Sequence, residues 1–213
     1  ALERPDGYLP DIIVDENWDL PHVHGEAGIV NRIRRIKLHE APGRLVLSPS
    51  WLRDPERGGE RRAETPGEAA LDLAEHGAFG GHVIAATWAL RPGTPPDGAH
   101  FERPDLYPVL KRYMEHYRDN ERLYDVSRSL ANVGLYSSFE SLTYDGKKAY
   151  IGQVGVEQAL IWNHIPHVMV LSARREAMHG LDALVLANQT CLSDAEVEEI
   201  ERFVRTGKGL LLA

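Results

Sequence analysis

The stretch Leu184-Val185-Leu186-Ala187 and the residues after it decide the fold of this chain. The stretch is a continuous apolar run with the length of a strand buried on both faces. Ser193-Asp194-Ala195-Glu196 comes next and has the form of a capping box, which predicts the start of a helix. Gly207 and Gly209 predict the end of that helix before a further apolar run at Leu210–Leu212. The order strand, helix, strand predicts a parallel βαβ unit.

The same alternation extends back to the N-terminus. Thr65-Pro66-Gly67-Glu68 predicts a second helix start, with Gly77 as the end of that helix, and Pro104 predicts the start of another. An alternating string of this kind is typical of an α/β protein with a parallel sheet or a barrel. The predicted strands are Asp11–Asp15, Arg44–Ser48, His82–Thr87, Asn132–Tyr136, His167–Leu171, Leu184–Ala187 and Leu210–Leu212.

The composition excludes several classes of protein. The chain has 213 residues, of which 43% are hydrophobic and 26% charged, as in a folded globular protein. Its net charge of −8 argues against nucleic acid or an anionic membrane as a partner. No apolar run approaches the ~18 residues of a membrane-spanning helix. No signal segment is visible after Ala1, so the cytoplasm is the default compartment.

The chain divides into two predicted pieces. A polar, arginine-bearing segment near 120–129 marks the boundary, which gives a first domain at 1–121 and a second at 122–213. The first piece holds three βα units and the second holds a further α/β unit.

Three of the four tryptophans follow predicted strands: Trp18, Trp51 and Trp88. In a barrel, the carboxyl ends of the strands converge on one mouth, where active sites are built. An indole ring offers a flat apolar face and a polar N–H edge, which suits a sugar ring. We therefore predict that these residues bind a carbohydrate. The alternative is that they close the end of the barrel by packing.

Asp15 and Glu16 are the candidate catalytic residues, because they are carboxylates at the end of the first predicted strand. Consecutive residues of a strand point to opposite sides, so only one of them can readily face a given site. Glycoside cleavage normally needs two carboxyl groups. The other two strand ends carry none, so the partner is expected elsewhere. The alternative role is capping or pairing with an arginine.

His22 and His24 form a His-x-His pair after the same strand. Such a pair can supply two ligands to a zinc-like ion, but the other strand ends provide no further ligands. We therefore predict that both are polar loop residues that hydrogen-bond substrate, or alternatively the backbone, and that no metal is held. Cys191 lacks the small neighbours of a nucleophile elbow and is predicted to be buried and inert. No nucleotide-binding glycine motif occurs, so no cofactor is expected.

Six segments of the second piece form a recognisable pattern: Asn132–Ser138, Gly155–Ile161, His164–Val170, Leu181–Asn188, Leu192–Glu196 and Val204–Leu211. With this pattern, the second piece resembles the class I glutamine-amidotransferase-like domain that follows the barrel in β-galactosidase-like glycoside hydrolases. The similarity covers roughly 130–213 and departs at Ala187, where the family has proline, and at Lys208, where it has glycine. It extends more loosely to 1–121.

This resemblance implies the last βα units of a TIM-type barrel, followed by a flavodoxin-like parallel-sheet domain of the β-galactosidase trimerisation type. In the family, that domain lacks an amidotransferase triad, mediates oligomer contacts and frames the active site. A complete barrel needs ~250 residues, so we expect the chain to be a segment of a larger protein with both domains incomplete.

The family's catalytic glutamates lie on the fourth and seventh barrel strands. The strand that aligns with the seventh, Arg44–Ser48, carries no glutamate. The resemblance therefore implies either a divergent subgroup that uses Glu16 or Asp15, or a barrel that has lost catalysis.

The expected function is part of a glycoside hydrolase that acts on a carbohydrate and forms a homo-oligomer, either a dimer or a trimer. Two alternatives stay open. One is a non-catalytic module for carbohydrate binding and oligomerisation. The other is a metal-dependent hydrolase that uses His22 and His24.

Overall fold

The computed structural model describes residues 12–14, 33–34, 36–38, 45–49, 65–79, 82–84, 105–125 and 129–213. Two compact units are present. The first comprises 1–23 and 44–127, and the second comprises 24–43 and 128–213. Each contains a parallel sheet accompanied by helices, which confirms the predicted α/β class.

The elements are numbered in chain order. The strands are β1 Ile12–Val14, β2 Leu45–Pro49, β3 His82–Ile84, β4 Val133–Ser137, β5 His167–Leu171, β6 Ala183–Leu186 and β7 Gly209–Leu212. The helices are α1 (33–34 and 36–38), α2 Pro66–Phe79, α3 Tyr107–Asp119, α4 Glu121–Asp125, α5 Phe139–Tyr144, α6 Gly146–Trp162 and α7 Asp194–Arg205, with a 3₁₀ segment at Ser172–Gly180. The seven predicted strands are confirmed, with ends that differ by up to three residues.

The first unit holds a three-stranded parallel sheet in the order β1-β2-β3. Ile13 lies opposite Val46, and Ser48 lies opposite Val83. Strands that are neighbours in the sequence are therefore neighbours in the sheet. This is the arrangement that successive βα units produce.

Helices α2 and α3 pack together in the first unit through buried apolar side chains, which include Ala69, Leu73, Leu106 and Leu110. The predicted capping box at the start of α2 is confirmed. The backbone N–H of Thr65 donates to Glu68 Oε2 over 2.9 Å, and the N–H of Glu68 donates to Thr65 Oγ1 over 3.3 Å.

The prediction that Gly77 ends this helix is wrong, because α2 continues to Phe79. A Cβ atom at Gly77 would lie 2.5 Å from the hydroxyl of Tyr117. That hydroxyl donates a hydrogen bond to the carbonyl of Leu73, and burial is the main cause that raises the pKa of Tyr117 to about 12. Gly77 is therefore a packing residue that admits the Tyr117 ring, not a helix terminator.

The second unit holds a four-stranded parallel sheet in the order β5-β4-β6-β7. Strand β4 comes first in the chain and has β5 on one side and β6 on the other, as in flavodoxin-like sheets. Alternate residues of β4, β5 and β6 supply two apolar layers, as a parallel sheet covered on both faces requires. One layer includes Tyr136, Val170, Met178, Leu184, Ile200 and Phe203, and the other includes Leu135, Met169, Val185 and Ala187.

The predicted start and end of α7 are both confirmed. The backbone N–H of Ser193 donates to Glu196 Oε2 over 2.7 Å, and the N–H of Glu196 donates to Ser193 Oγ over 3.4 Å. The chain then turns at Gly207, whose φ of 88° lies in the region that glycine adopts without strain. Among the described residues, no helix has the length and apolar character needed to cross a bilayer.

Candidate functional site

The first candidate site lies at the carboxyl edge of the first sheet. Because β1, β2 and β3 run parallel and side by side, their carboxyl ends lie at one edge. In the sequence, Asp15 follows β1 directly, Trp51 comes two residues after β2, and Trp88 comes four residues after β3. The structure thus brings together the three strand ends from which the predicted site was inferred.

The predicted site residues themselves lie outside the described residues. Their catalytic and carbohydrate-binding roles therefore stay predictions. They are Asp15, Glu16, Trp18, His22, His24, Trp51 and Trp88. Over the ranges that the structure describes, no group of three or more His, Cys, Asp or Glu side chains is arranged to hold a metal ion.

The second candidate site is the switch point of the second sheet, at the carboxyl ends of β4 and β6. Open α/β sheets bind ligands at such points. Here the two loops bond to each other. The backbone N–H of Ser138 donates to Gln189 Oε1 over 2.7 Å, and the hydroxyls of Ser138 and Ser141 donate to the carbonyl of Cys191 over 3.1 and 2.6 Å. These groups satisfy one another within the protein, which does not favour a ligand site at this edge.

Cys191 is half-buried, so the prediction that it is buried is wrong. Its backbone N–H donates to Ser141 Oγ over 3.0 Å, and its Sγ lies 3.9 Å from Thr190 Oγ1. A hydroxyl is a poor base, and a nucleophilic thiol needs a base or a neighbouring positive charge.

A buried pair near the same edge was missed by sequence reasoning. The hydroxyl of Tyr136, which is fully buried, donates to Glu196 Oε1 over 3.0 Å. Burial raises the pKa of Glu196, but hydrogen bonds from Ser193, Ser138 and Tyr136 outweigh it and hold that pKa below its usual value. Burial and the neighbouring Glu196 charge raise the pKa of Tyr136. Glu196 is therefore an ionised anchor that joins α7 to β4.

Replacing Glu196 by Gln is expected to destabilise the protein by about 1–2 kcal/mol at neutral pH, because hydrogen bonds to a charged group are lost. A carboxyl group with a lowered pKa in the folded state stabilises above its unfolded pKa, and this contribution disappears as the pH falls through the folded value. The difference in unfolding free energy between wild type and Glu196→Gln should therefore shrink below about pH 4. Urea unfolding at several pH values measures it.

The matched control is Glu201→Gln, an exposed carboxylate on the same helix that pairs with Arg205. Its effect should stay small at every pH, since exposed pairs contribute little. A destabilisation by Glu196→Gln that does not change with pH would contradict the assignment.

An apolar cavity of about 420 Å³ lies between α7 and β7. Its apolar lining comprises Leu186, Leu192, Val197, Ile200, Val204, Leu210 and Leu212. Glu201 and Arg205 also line it, and they form an ion pair of 2.9 Å. This lining can bury an apolar group, but it lacks the convergent polar groups of a catalytic site.

Comparisons with known proteins give a structural likeness and no likeness in sequence. No family model matches the chain, and no curated protein matches it. The fold is similar to that of alpha-L-fucosidase isoenzyme 2 from Paenibacillus thiaminolyticus, with a TM-score of 0.64 and 20% sequence identity. The similarity covers 99% of this chain but 30% of that one, so the chain spans less than a third of the length of the fucosidase. At this identity the likeness concerns the fold.

Proposed function

We propose that the chain is part of a glycoside hydrolase, with its carbohydrate site at the carboxyl ends of β1, β2 and β3. The observation that carries this proposal is the parallel β1-β2-β3 order, which places the carboxyl ends of the three strands at one edge of the sheet. In the sequence, each of these strand ends is followed by a carboxylate or a tryptophan. The fold similarity to a fucosidase supports the same class of enzyme.

In this proposal the residues after the strand ends have different roles. Glu16 or Asp15 acts as the acid/base or the nucleophile, in partnership with a second carboxyl group outside these strand ends. Trp18, Trp51 and Trp88 stack against sugar rings. His22 and His24 donate or accept hydrogen bonds to sugar hydroxyls. The second unit has the non-catalytic role that the family resemblance implies, which includes contacts between copies in a dimer or trimer.

A panel of aryl glycosides tests the proposal. The full-length protein should release 4-nitrophenol from one class of substrate, and the panel should include an α-L-fucoside, after the fucosidase of similar fold, and a β-D-galactoside, after the sequence resemblance. Turnover should persist in EDTA, since no metal is invoked. Loss of turnover in EDTA with recovery on adding zinc would favour the metal-dependent alternative through His22 and His24.

The second candidate is a non-catalytic carbohydrate-binding module, which is favoured by the absence of glutamate from the β2 segment. It predicts tryptophan fluorescence changes on adding L-fucose or D-galactose without hydrolysis of any glycoside. Trp162 provides the control, because it lies exposed on α6 and outside the proposed site. The Trp162→Phe variant should keep the sugar-dependent change, whereas Trp51→Phe or Trp88→Phe should reduce it.

A further inference from the structure

A buried polar cluster in the second unit centres on Arg34 of α1, and we call it the Arg34 cluster. Arg34 Nη1 donates to Glu157 Oε2 over 3.1 Å, and Arg34 Nη2 donates to Gln153 Oε1. The centre of the guanidinium group lies 5.4 Å from the ring centroid of Tyr150, and Glu157 Oε1 lies 3.3 Å from His167 Nε2. The relative exposures of Arg34 and Glu157 are 2% and 0%. The guanidinium group therefore occupies an enclosed, charged site whose walls come from α6 and β5.

The two acceptors of this site are oriented by contacts that do not involve α1. Gln153 Nε2 donates to the carbonyl of Tyr136 over 3.2 Å, which directs Gln153 Oε1 toward Arg34. The ring of His167 approaches one oxygen of the Glu157 carboxylate, and the other oxygen accepts from Arg34. These contacts join α6 to β4 and β5. The acceptors are therefore held in place by the sheet and by α6, whether or not a guanidinium group is present.

The site suits a planar guanidinium group better than an ammonium group. Gln153 and Glu157 lie one helical turn apart, so their oxygens form a pair on one face of α6. A guanidinium group meets such a pair with two parallel N–H donors and can lie against an aromatic ring, which Tyr150 supplies. An ammonium group donates from a single nitrogen and cannot match both acceptors equally. The geometry therefore selects for shape as well as for charge.

Helix α1 has further contacts that hold it on the second unit. Ile33 and Ile36 are buried, and Leu38 packs against the apolar layer that includes Leu135 and Met169. Removing the guanidinium group alone therefore leaves α1 in place above an empty site.

We propose that Gln153, Glu157 and Tyr150 form a guanidinium socket that binds free alkylguanidinium ions when Arg34 does not fill it. In the native chain Arg34 is the resident ligand, and its binding attaches α1 to the rest of the second unit. All of these residues lie within the second unit, so the socket is independent of the proposed carbohydrate site.

The test replaces Arg34 by Ala in the full chain, because this change removes the atoms of one ethylguanidinium group beyond Cβ. The variant should melt well below wild type, since Glu157 is left buried without its cationic partner. Adding about 20 mM ethylguanidinium should raise its melting temperature by at least ~3 °C, because a ligand that binds only the folded state stabilises it. Ethylammonium at the same concentration should raise it by less than about a third as much. Wild type, whose socket is filled, should not distinguish the two ions.

The matched control is Arg34→Ala/Glu157→Gln, which removes the charge of the socket but nearly keeps its shape. This variant should lose the preference for ethylguanidinium. A second control is Arg205→Ala, which leaves the exposed carboxylate of Glu201 without its partner. It should not be stabilised by either ion, because water already solvates that carboxylate.

The two ions also decide the outcome if Arg34→Ala does not fold by itself. Ethylguanidinium should then restore the far-ultraviolet circular dichroism of wild type, and ethylammonium should not. Equal effects of the two ions, or no effect of either, would overturn the socket. Arg34→Lys is an independent check, since it keeps the charge but lacks the fork and should melt at least ~5 °C below wild type. A wild-type melting temperature in Arg34→Lys would show that charge alone is recognised and would also overturn the proposal.

Discussion

Replacing Glu16 by Gln is expected to lower the turnover of the aryl glycoside by about 10²–10⁴-fold, the range over which general acid–base groups contribute. The amide has nearly the shape of the carboxyl group, but it can neither transfer a proton nor form a glycosyl intermediate. The expectation depends on the place of Glu16 in the sequence, two residues beyond the carboxyl end of β1. Steady-state kinetics on the panel substrate measure the effect.

Asp15→Asn is the matched control for this prediction. Because consecutive residues of an extended chain point to opposite sides, only one of the two carboxylates can face the substrate, and only one replacement should have the large effect. If Glu16 is the general acid, a 2,4-dinitrophenyl glycoside should recover much of the lost turnover, since its leaving group needs no proton. Near-normal turnover in both variants would remove this pair from the mechanism.

Replacing Glu157 by Met is expected to destabilise the protein by about 3–5 kcal/mol, because the Arg34 charge is then buried without its carboxylate partner. Glu157 is fully buried and accepts from Arg34 over 3.1 Å, so solvent cannot take its place. Urea unfolding at neutral pH, followed by far-ultraviolet circular dichroism, measures the loss.

The double variant Arg34→Met/Glu157→Met distinguishes the net contribution of the ion pair from the cost of leaving one charge buried without a partner. Replacing both charges by apolar groups of similar volume is often close to neutral, so most of the stability lost in the single variant should return. Glu201→Met, which breaks the exposed pair with Arg205, should cost less than about 1 kcal/mol. A single-variant cost as small as this control would show that the buried pair is weakly coupled.

Local signals in the sequence account for most elements of the fold. Apolar runs located all seven strands, and the reciprocal Thr65–Glu68 and Ser193–Glu196 contacts formed as the capping boxes predicted. These features succeed because each depends on residues no more than a few positions apart. The prediction that Gly77 ends its helix was wrong because the role of this residue depends on Tyr117, which lies far along the chain. A local pattern carries no information about such a distant contact.

The candidate site was predicted less completely than the fold. Residue type and strand-end position indicate a carbohydrate site after β1, β2 and β3, and the parallel order of these strands agrees with that indication. The Tyr136–Glu196 hydrogen bond and the Arg34 cluster were not predictable, because they join residues 60 and 123 positions apart. Hydrophobic periodicity carries no signal for such polar pairs.

The second unit is formed by two separate parts of the chain, 24–43 and 128–213, and this affects how it folds during synthesis. Arg34 leaves the ribosome 123 residues before Glu157 does, which at ~5–20 residues per second is a delay of roughly 6–25 s. Ile33 and Ile36 are both buried in the folded protein. During that interval they lie next to Arg34 in a chain that does not yet contain Glu157. The nascent chain thus presents a short apolar and cationic segment before Glu157, the buried partner of Arg34, has been synthesised.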